Sequence, residues 1–183
     1  MIQETDMPQE DSDLRRLLDK EAIREALIKY TRGMDRHDDT IMAEAYHAGA
    51  REDHVDFIGD AQTFIHHARS GHERFFDAHH HYMANQSIDL DGDVAHVETY
   101  FLAALRHKDG QVDMVGGRYV DLMERRNDRW AIVKRACIVE WQGELAKAQH
   151  AFPPDLPLRG QQGREDLSYH RPLELSRPDR RPV

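Results

Sequence analysis

The sequence predicts an α+β fold: three helices in the first half of the chain, packed on an antiparallel sheet formed by the second half. Three observations carry this reading. Apolar residues recur at helical spacing from Leu14 to Met34 and again from Phe64 to Phe76, whereas from Tyr82 onward they follow the period of strands. The later pattern is cut by Asp91-Gly92, Asp109-Gly110 and Asn127-Asp128, which are hairpin turn pairs. Strands joined by such short turns must run antiparallel.

In chain order, residues 1–12 are polar and acidic and read as a lead-in with too little apolar surface to pack. Leu14, Leu18, Ala22, Ala26 and Tyr30 then form a row of four-residue steps, with Ile23, Leu27 and Met34 beside it, as expected of an amphipathic helix. Gly33 is its expected C-terminal stop, which would set Asp35 just beyond the helix end. Asp38 or Asp39 can cap a second helix carrying Ile41, Met42, Ala45 and Tyr46. A short strand is expected from Arg51 to Ile58, containing Asp53 and His54, and a third helix from Ala61 to Ala78.

The four strands of the meander are expected at Met83–Leu90, Val94–His107, Gln111–Arg125 and Arg129–Trp141. Gly116-Gly117 falls mid-strand, where it permits a bend or a close approach. The last strand is apolar on both sides, with Trp130, Ile132, Ala136 and Ile138 against Ala131, Val133, Cys137, Val139 and Trp141. If helices cover one face, a second copy of the chain is the economical cover for the other, so a homo-oligomer, dimer or trimer, is expected through the sheet. Residues 13–149 thus form one domain. Residues 150–183 hold most of the prolines and recurrent arginine, and read as a tail in which Tyr169 and Leu173 are candidate anchors.

Composition narrows the function. A net charge of -9 disfavours a nucleic-acid partner. The single Cys137 leaves no internal disulfide, and no apolar run suits a signal peptide or a membrane span, so a cytoplasmic protein is expected. The most chemical stretch is His79 to Asn85, because imidazole both takes and gives protons near neutrality. Alternation along a strand sets His79 and His81 on one face and His80 on the other. The 13 histidines also raise a metal reading, through His79 with His81 or through His66, His67 and His72. No regular ligand spacing supports it, and neither a metal nor another cofactor is expected.

The order of elements, together with Val115-Gly116-Gly117-Arg118-Tyr119 and Glu124-Arg125-Arg126 before Trp130, resembles the nuclear transport factor 2-like superfamily and its SnoaL-like branch. The resemblance covers about Asp13 to Trp141 and implies a cone of helices on a curved sheet. That branch includes scytalone dehydratase, hexachlorocyclohexane dehydrochlorinase and bile acid dehydratase. In its lyases an Asp after the first helix orients a His at the start of the sheet. By Gly33-Met34-Asp35 and His81-Tyr82-Met83-Ala84-Asn85, the resemblance places these roles on Asp35 and His81, with Tyr30 as an auxiliary donor. Val139 and Glu140 stand where several members carry an Arg.

The implied activity is a cofactor-independent lyase, by dehydration or dehydrohalogenation, or an isomerase, acting on a small hydrophobic substrate. Asp53, His54, Asn85, Glu98 and Tyr100 are candidate substrate contacts. The alternative is a non-catalytic small-molecule-binding or assembly module on the same fold. Asp35 as a turn residue and Tyr30 as core are the plain structural roles that compete with the catalytic ones.

Overall fold

A computed structural model describes residues 9–146 and 160–173, with side chains from Ser12 onward. The expected lead-in up to Met7 and Pro8, and the tail outside residues 160–173, lie outside the described residues. The elements are α1 (Gln9–Arg36), α2 (Asp39–Ala43), β1 (Tyr46–His54), β2 (Phe57–Asp60), α3 (Ala61–Phe75), β3 (Phe76–Asp91), β4 (Val94–His107), β5 (Val112–Arg126) and β6 (Arg129–Leu145). Two short 3₁₀ turns, Gly163–Glu165 and Leu167–Tyr169, follow. No helix of the described residues is long and apolar enough to cross a membrane.

The six strands form one sheet in the order β2-β1-β6-β5-β4-β3. The expected meander is its larger part, β3 to β6, all antiparallel. The expectation of a purely antiparallel sheet fails at β1, which pairs parallel to β6 and antiparallel to β2. The run from Arg51 to Ile58, expected as one strand, is divided between β1 and β2, and Tyr46, expected in α2, opens β1. The turn between β1 and β2 is made at Val55, whose φ of 53° is rare for a β-branched residue and carries no turn signature.

Helix α1 packs on the sheet through Ile23, Ala26, Leu27, Tyr30 and Met34, each 5% exposed or less. Burying side chains of the Ile and Leu class contributes about 1.5–3 kcal/mol each, which makes this stripe the main attachment of the helix. All five belong to the face expected from sequence; the N-terminal part of the expected row, Leu14, Leu18 and Ala22, is exposed. Gly33 also does not end the helix. It lies inside α1, where a Cβ would stand 2.5 Å from the Met42 backbone nitrogen, so the absence of a side chain admits α2. The chain leaves the helix at His37, whose left-handed φ of 53° lets Asp38 N–H donate to the Gly33 carbonyl at 2.9 Å. Asp38 then caps α2 by accepting the Ile41 N–H at 3.1 Å, as expected.

Helix α3 is capped by Asp60, which accepts the Thr63 N–H at 2.9 Å. It ends at Phe75, and the histidines predicted at its exit are already in β3. In β6 the predicted alternation breaks at Val133: Met123 pairs with Ile132 and Leu122 with Lys134, so one residue is bulged out. Ile132, Arg135 and Cys137 therefore line the covered face, where simple alternation would have grouped Ile132 with Ala136 and Ile138.

The 3₁₀ segment docks beside the end of α1. Arg36 donates to the Gln161 carbonyl at 2.9 Å, Tyr169 donates to Asp38 at 3.0 Å, and the Arg32 guanidinium stacks 4.8 Å from the Tyr169 ring centre. Of the two anchors expected from sequence, Tyr169 makes these contacts and Leu173 is 62% exposed.

Candidate active site

Asp35 lies in the last turn of α1 and His81 in the edge strand β3, opposite Ala103 of β4. The carboxylate grips β3 at two levels. Its Oδ2 accepts the His81 backbone N–H at 3.0 Å, and its Oδ1 stands 2.6 Å from His81 Nδ1 and 3.2 Å from His79 Nδ1. Because an ionised carboxylate only accepts, both rings must place hydrogen on Nδ1 and keep Nε2 as a lone pair. The backbone bond fixes the strand against the helix end, so the imidazole is aimed by main chain as well as side chain.

Burial pushes the Asp35 carboxyl up, but the hydrogen bonds from His79 and His81 outweigh it and hold the group well below the ordinary carboxylate range. A permanent anion beside a nearly buried ring stabilises the imidazolium that forms when His81 takes a proton. The pair can therefore act as a general base with its orienting group.

The strand-period argument holds: His79 and His81 share a face, and His80 is turned away and exposed. Two further imidazoles, absent from the expected site, join them. His37 comes from the left-handed turn after α1, with Nε2 2.9 Å from His79 Nε2. His72 comes from α3, its ring centre 4.2 Å from that of His79 and 5.8 Å from that of His81. Burial, reinforced by the neighbouring rings, holds His72 down to about 2, and burial also lowers His79 and His37. Sequence named His72 only with His66 and His67 and passed over His37, because residues at the ends of three elements share no spacing rule.

Tyr30 belongs to a second buried group. Its ring packs edge-on to Tyr46 and Tyr119, and the Arg135 guanidinium lies 4.1 Å from its centre. No hydrogen bond joins its hydroxyl to Asp35 or His81, and that hydroxyl is buried without a partner among the described residues. Arg135 is clamped by Asp121 through bonds of 2.7 and 2.8 Å, with both side chains fully buried. Tyr46 donates to Glu52 at 2.8 Å, and His54 Nδ1 stands 3.0 Å from the same carboxyl group.

The other candidate contacts do not gather around Asp35 and His81. Asp53 borders a hollow of about 350 Å³ with Arg51, Ile58, His96, Val120 and Lys134. His54 is engaged by Glu52, and Asn85 is exposed in the irregular stretch of β3 between Met83 and Gln86. Glu98 and Tyr100 alternate with the buried Val97, Thr99 and Phe101 and so face outward, where Glu98 accepts from Arg118 at 2.8 Å. The alternation of β4 was readable in sequence; which parity faces the helices was not.

Residues 15–136 match the sequence profile of the SnoaL-like domain. The chain belongs to the SnoaL-like domain family. Solved structures agree with this domain at the level of fold. A hexachlorocyclohexane dehydrochlorinase of type 2 superposes with a TM-score of 0.70 at 19% identity, covering 79% of this chain and 99% of its own. A provisionally assigned scytalone dehydratase from Novosphingobium aromaticivorans gives 0.64 at 18%, covering 76% and 95%. A Mycobacterium tuberculosis protein of unknown function gives 0.62 at 18%, covering 74% and 78%. The SnoaL-like domain thus places the chain in the nuclear transport factor 2-like superfamily, as the residue patterns implied. Among curated proteins none matches it by sequence.

Proposed function

We propose that this SnoaL-like domain is a lyase or isomerase for a small hydrophobic molecule, and that its proton transfers need no cofactor. His81 Nε2 removes a proton next to an activating or leaving group, and Asp35 holds the ring and stabilises its charged form. The observation that carries this reading is the 2.6 Å contact between Asp35 Oδ1 and His81 Nδ1, reinforced by the second carboxylate oxygen on the His81 backbone. Dehydration and dehydrohalogenation are the elimination reactions that need only such a base and a departing group. Tyr30 is the auxiliary donor in this proposal, since a substrate oxygen would satisfy its partnerless hydroxyl.

The test is a panel of small cyclic compounds carrying β-hydroxyl or β-halide groups, scored by release of halide or appearance of the unsaturated product. Turnover that disappears in His81→Ala while the fold persists supports the proposal; turnover unchanged by that substitution refutes it.

A second reading, a non-catalytic binding module, draws on the hollow of about 350 Å³, which does not touch Asp35 or His81. Ligand binding there without turnover in the same panel would favour it. We also infer that a second copy of the chain covers the outer sheet face, where Tyr82, Tyr100, Leu102, Ile138 and Trp141 are 37–54% exposed. Light scattering checks this: Trp141→Glu with Ile138→Glu should shift the mass to that of one chain.

A further inference from the structure

We propose that His37, His72 and His79 form a binding site for one borderline divalent ion of the Zn²⁺ or Co²⁺ class, beside His81 but not including it. One ligand atom from each of the three lies within 4.8 Å of the others. The rings come from the turn after α1, from α3 and from β3, so the packing of three elements, not a local run of sequence, brings them together.

The orientation of the rings is the stronger argument. His79 directs Nδ1 at Asp35 and His37 directs Nδ1 toward Glu73, at 3.2 and 3.8 Å, while their Nε2 atoms face each other at 2.9 Å. Imidazoles whose outer nitrogens meet carboxylates and whose inner nitrogens converge are the arrangement in which histidines hold zinc. Two Nε2 lone pairs that close repel unless a hydrogen or a cation lies between them. With no ion, His37 must keep its hydrogen on Nε2 and donate it to His79. On binding, that hydrogen moves to His37 Nδ1, where Glu73 can receive it, and both lone pairs turn to the ion.

His72 supplies an independent sign. Its Nδ1 is buried and has no hydrogen-bond partner among the described residues, although its ring lies against His79. Zinc–imidazole bonds of about 2.0–2.1 Å require tetrahedral ligand nitrogens about 3.3 Å apart, so closure asks only small ring movements from the present spacing. Three neutral imidazoles leave a fourth position for water or a substrate oxygen. Asp35 bonds both His79 and His81, so it would be a positioning residue for the ion and for the proposed base at once.

The experiment is titration of purified, tag-free protein with Co²⁺, followed by its visible ligand-field absorption, and competition with Zn²⁺ followed by calorimetry. One equivalent of Co²⁺ should give the intense bands of a tetrahedral site, lost in His72→Ala and in His37→Asn. Asparagine tolerates the left-handed backbone at position 37, so the second variant keeps the turn. Asp35→Asn should weaken binding about 10–100-fold. His66→Ala and His81→Ala should leave the spectrum in place, which separates this site from the proposed lyase chemistry: loss of turnover in His81→Ala with Co²⁺ still bound leaves both standing. No tetrahedral spectrum in the wild type, or one that survives both His72→Ala and His37→Asn, overturns the proposal.

Discussion

Replacing Asp35 with asparagine changes few atoms but removes the arrangement on which His81 depends. In the native chain Oδ1 accepts from both rings and Oδ2 accepts the His81 backbone N–H at 3.0 Å. An asparagine with its oxygen toward the rings puts its NH₂ against that backbone donor. Flipped, the NH₂ donates to His81 Nδ1, and the ring hydrogen must move to Nε2, the nitrogen needed as base. Hydrogen bonds to charged groups contribute about 1.5–3 kcal/mol each, and the imidazolium loses its counter-charge as well. A rate loss of about 10²–10⁴-fold follows, the range spanned by a lost acid/base contribution and by a wrong tautomer in a triad. Ring ¹⁵N spectra read the tautomer with no substrate present. The wild type should show His81 hydrogen on Nδ1, and Asp35→Asn should move some or all of it to Nε2. A tautomer indifferent to the substitution would refute the orienting role, and the rate argument with it.

Asp121→Ala should destabilise the fold by about 3–5 kcal/mol in chemical denaturation, because it strands the fully buried Arg135 guanidinium. Replacing both partners by apolar residues of similar size should recover much of that loss; equal destabilisation by the single and double variants would contradict it. The Cys137 thiol is pushed up to about 12 by burial, against an opposing effect of Arg135, so at pH 8 its thiolate fraction is about 10⁻⁴. Disulfide reagents should label it slowly until denaturant is added, and rapid native labelling would be the contrary result. Burial pushes Asp166 up, but the Gln161 and Ser168 amides and the Ser168 side chain hold it down to about 2. Its contribution to the internal turn of the 3₁₀ segment is complete above the ordinary value of 3.8 and is lost as pH falls through about 2. The Gln161 and Ser168 amide signals should shift over that interval, and a midpoint at the ordinary value would contradict the contact.

The meander and its turns were legible because period-two patterning and Asp-Gly or Asn-Asp pairs are local signals, and the turn residues take the positive φ they advertise: Gly92 at 57°, Gly110 at 89°, Asn127 at 52° and Asp128 at 58°. The parallel β1–β6 pairing was not legible, since pairing across so many residues leaves no mark on either strand. The bulge at Val133 was hidden for a related reason: one extra residue in a continuous apolar run changes which side chains face inward without changing composition. Asp35 and His81 were named through a family pattern, and the geometry now gives each a partner. His37 and His72 had no such pattern, being set by a left-handed turn and by the angle at which α3 meets β3.

The most direct measurement is the position of a bound ligand. In a crystal of the chain with an unreactive analogue of a compound it turns over, the carbon that loses its proton should lie about 3–3.5 Å from His81 Nε2. Asp35 should still bridge His81 through ring and backbone. A ligand seated in the hollow beside Asp53 and Lys134, with His81 Nε2 facing protein, would contradict a lyase centred on His81 and make that hollow the functional site of the fold.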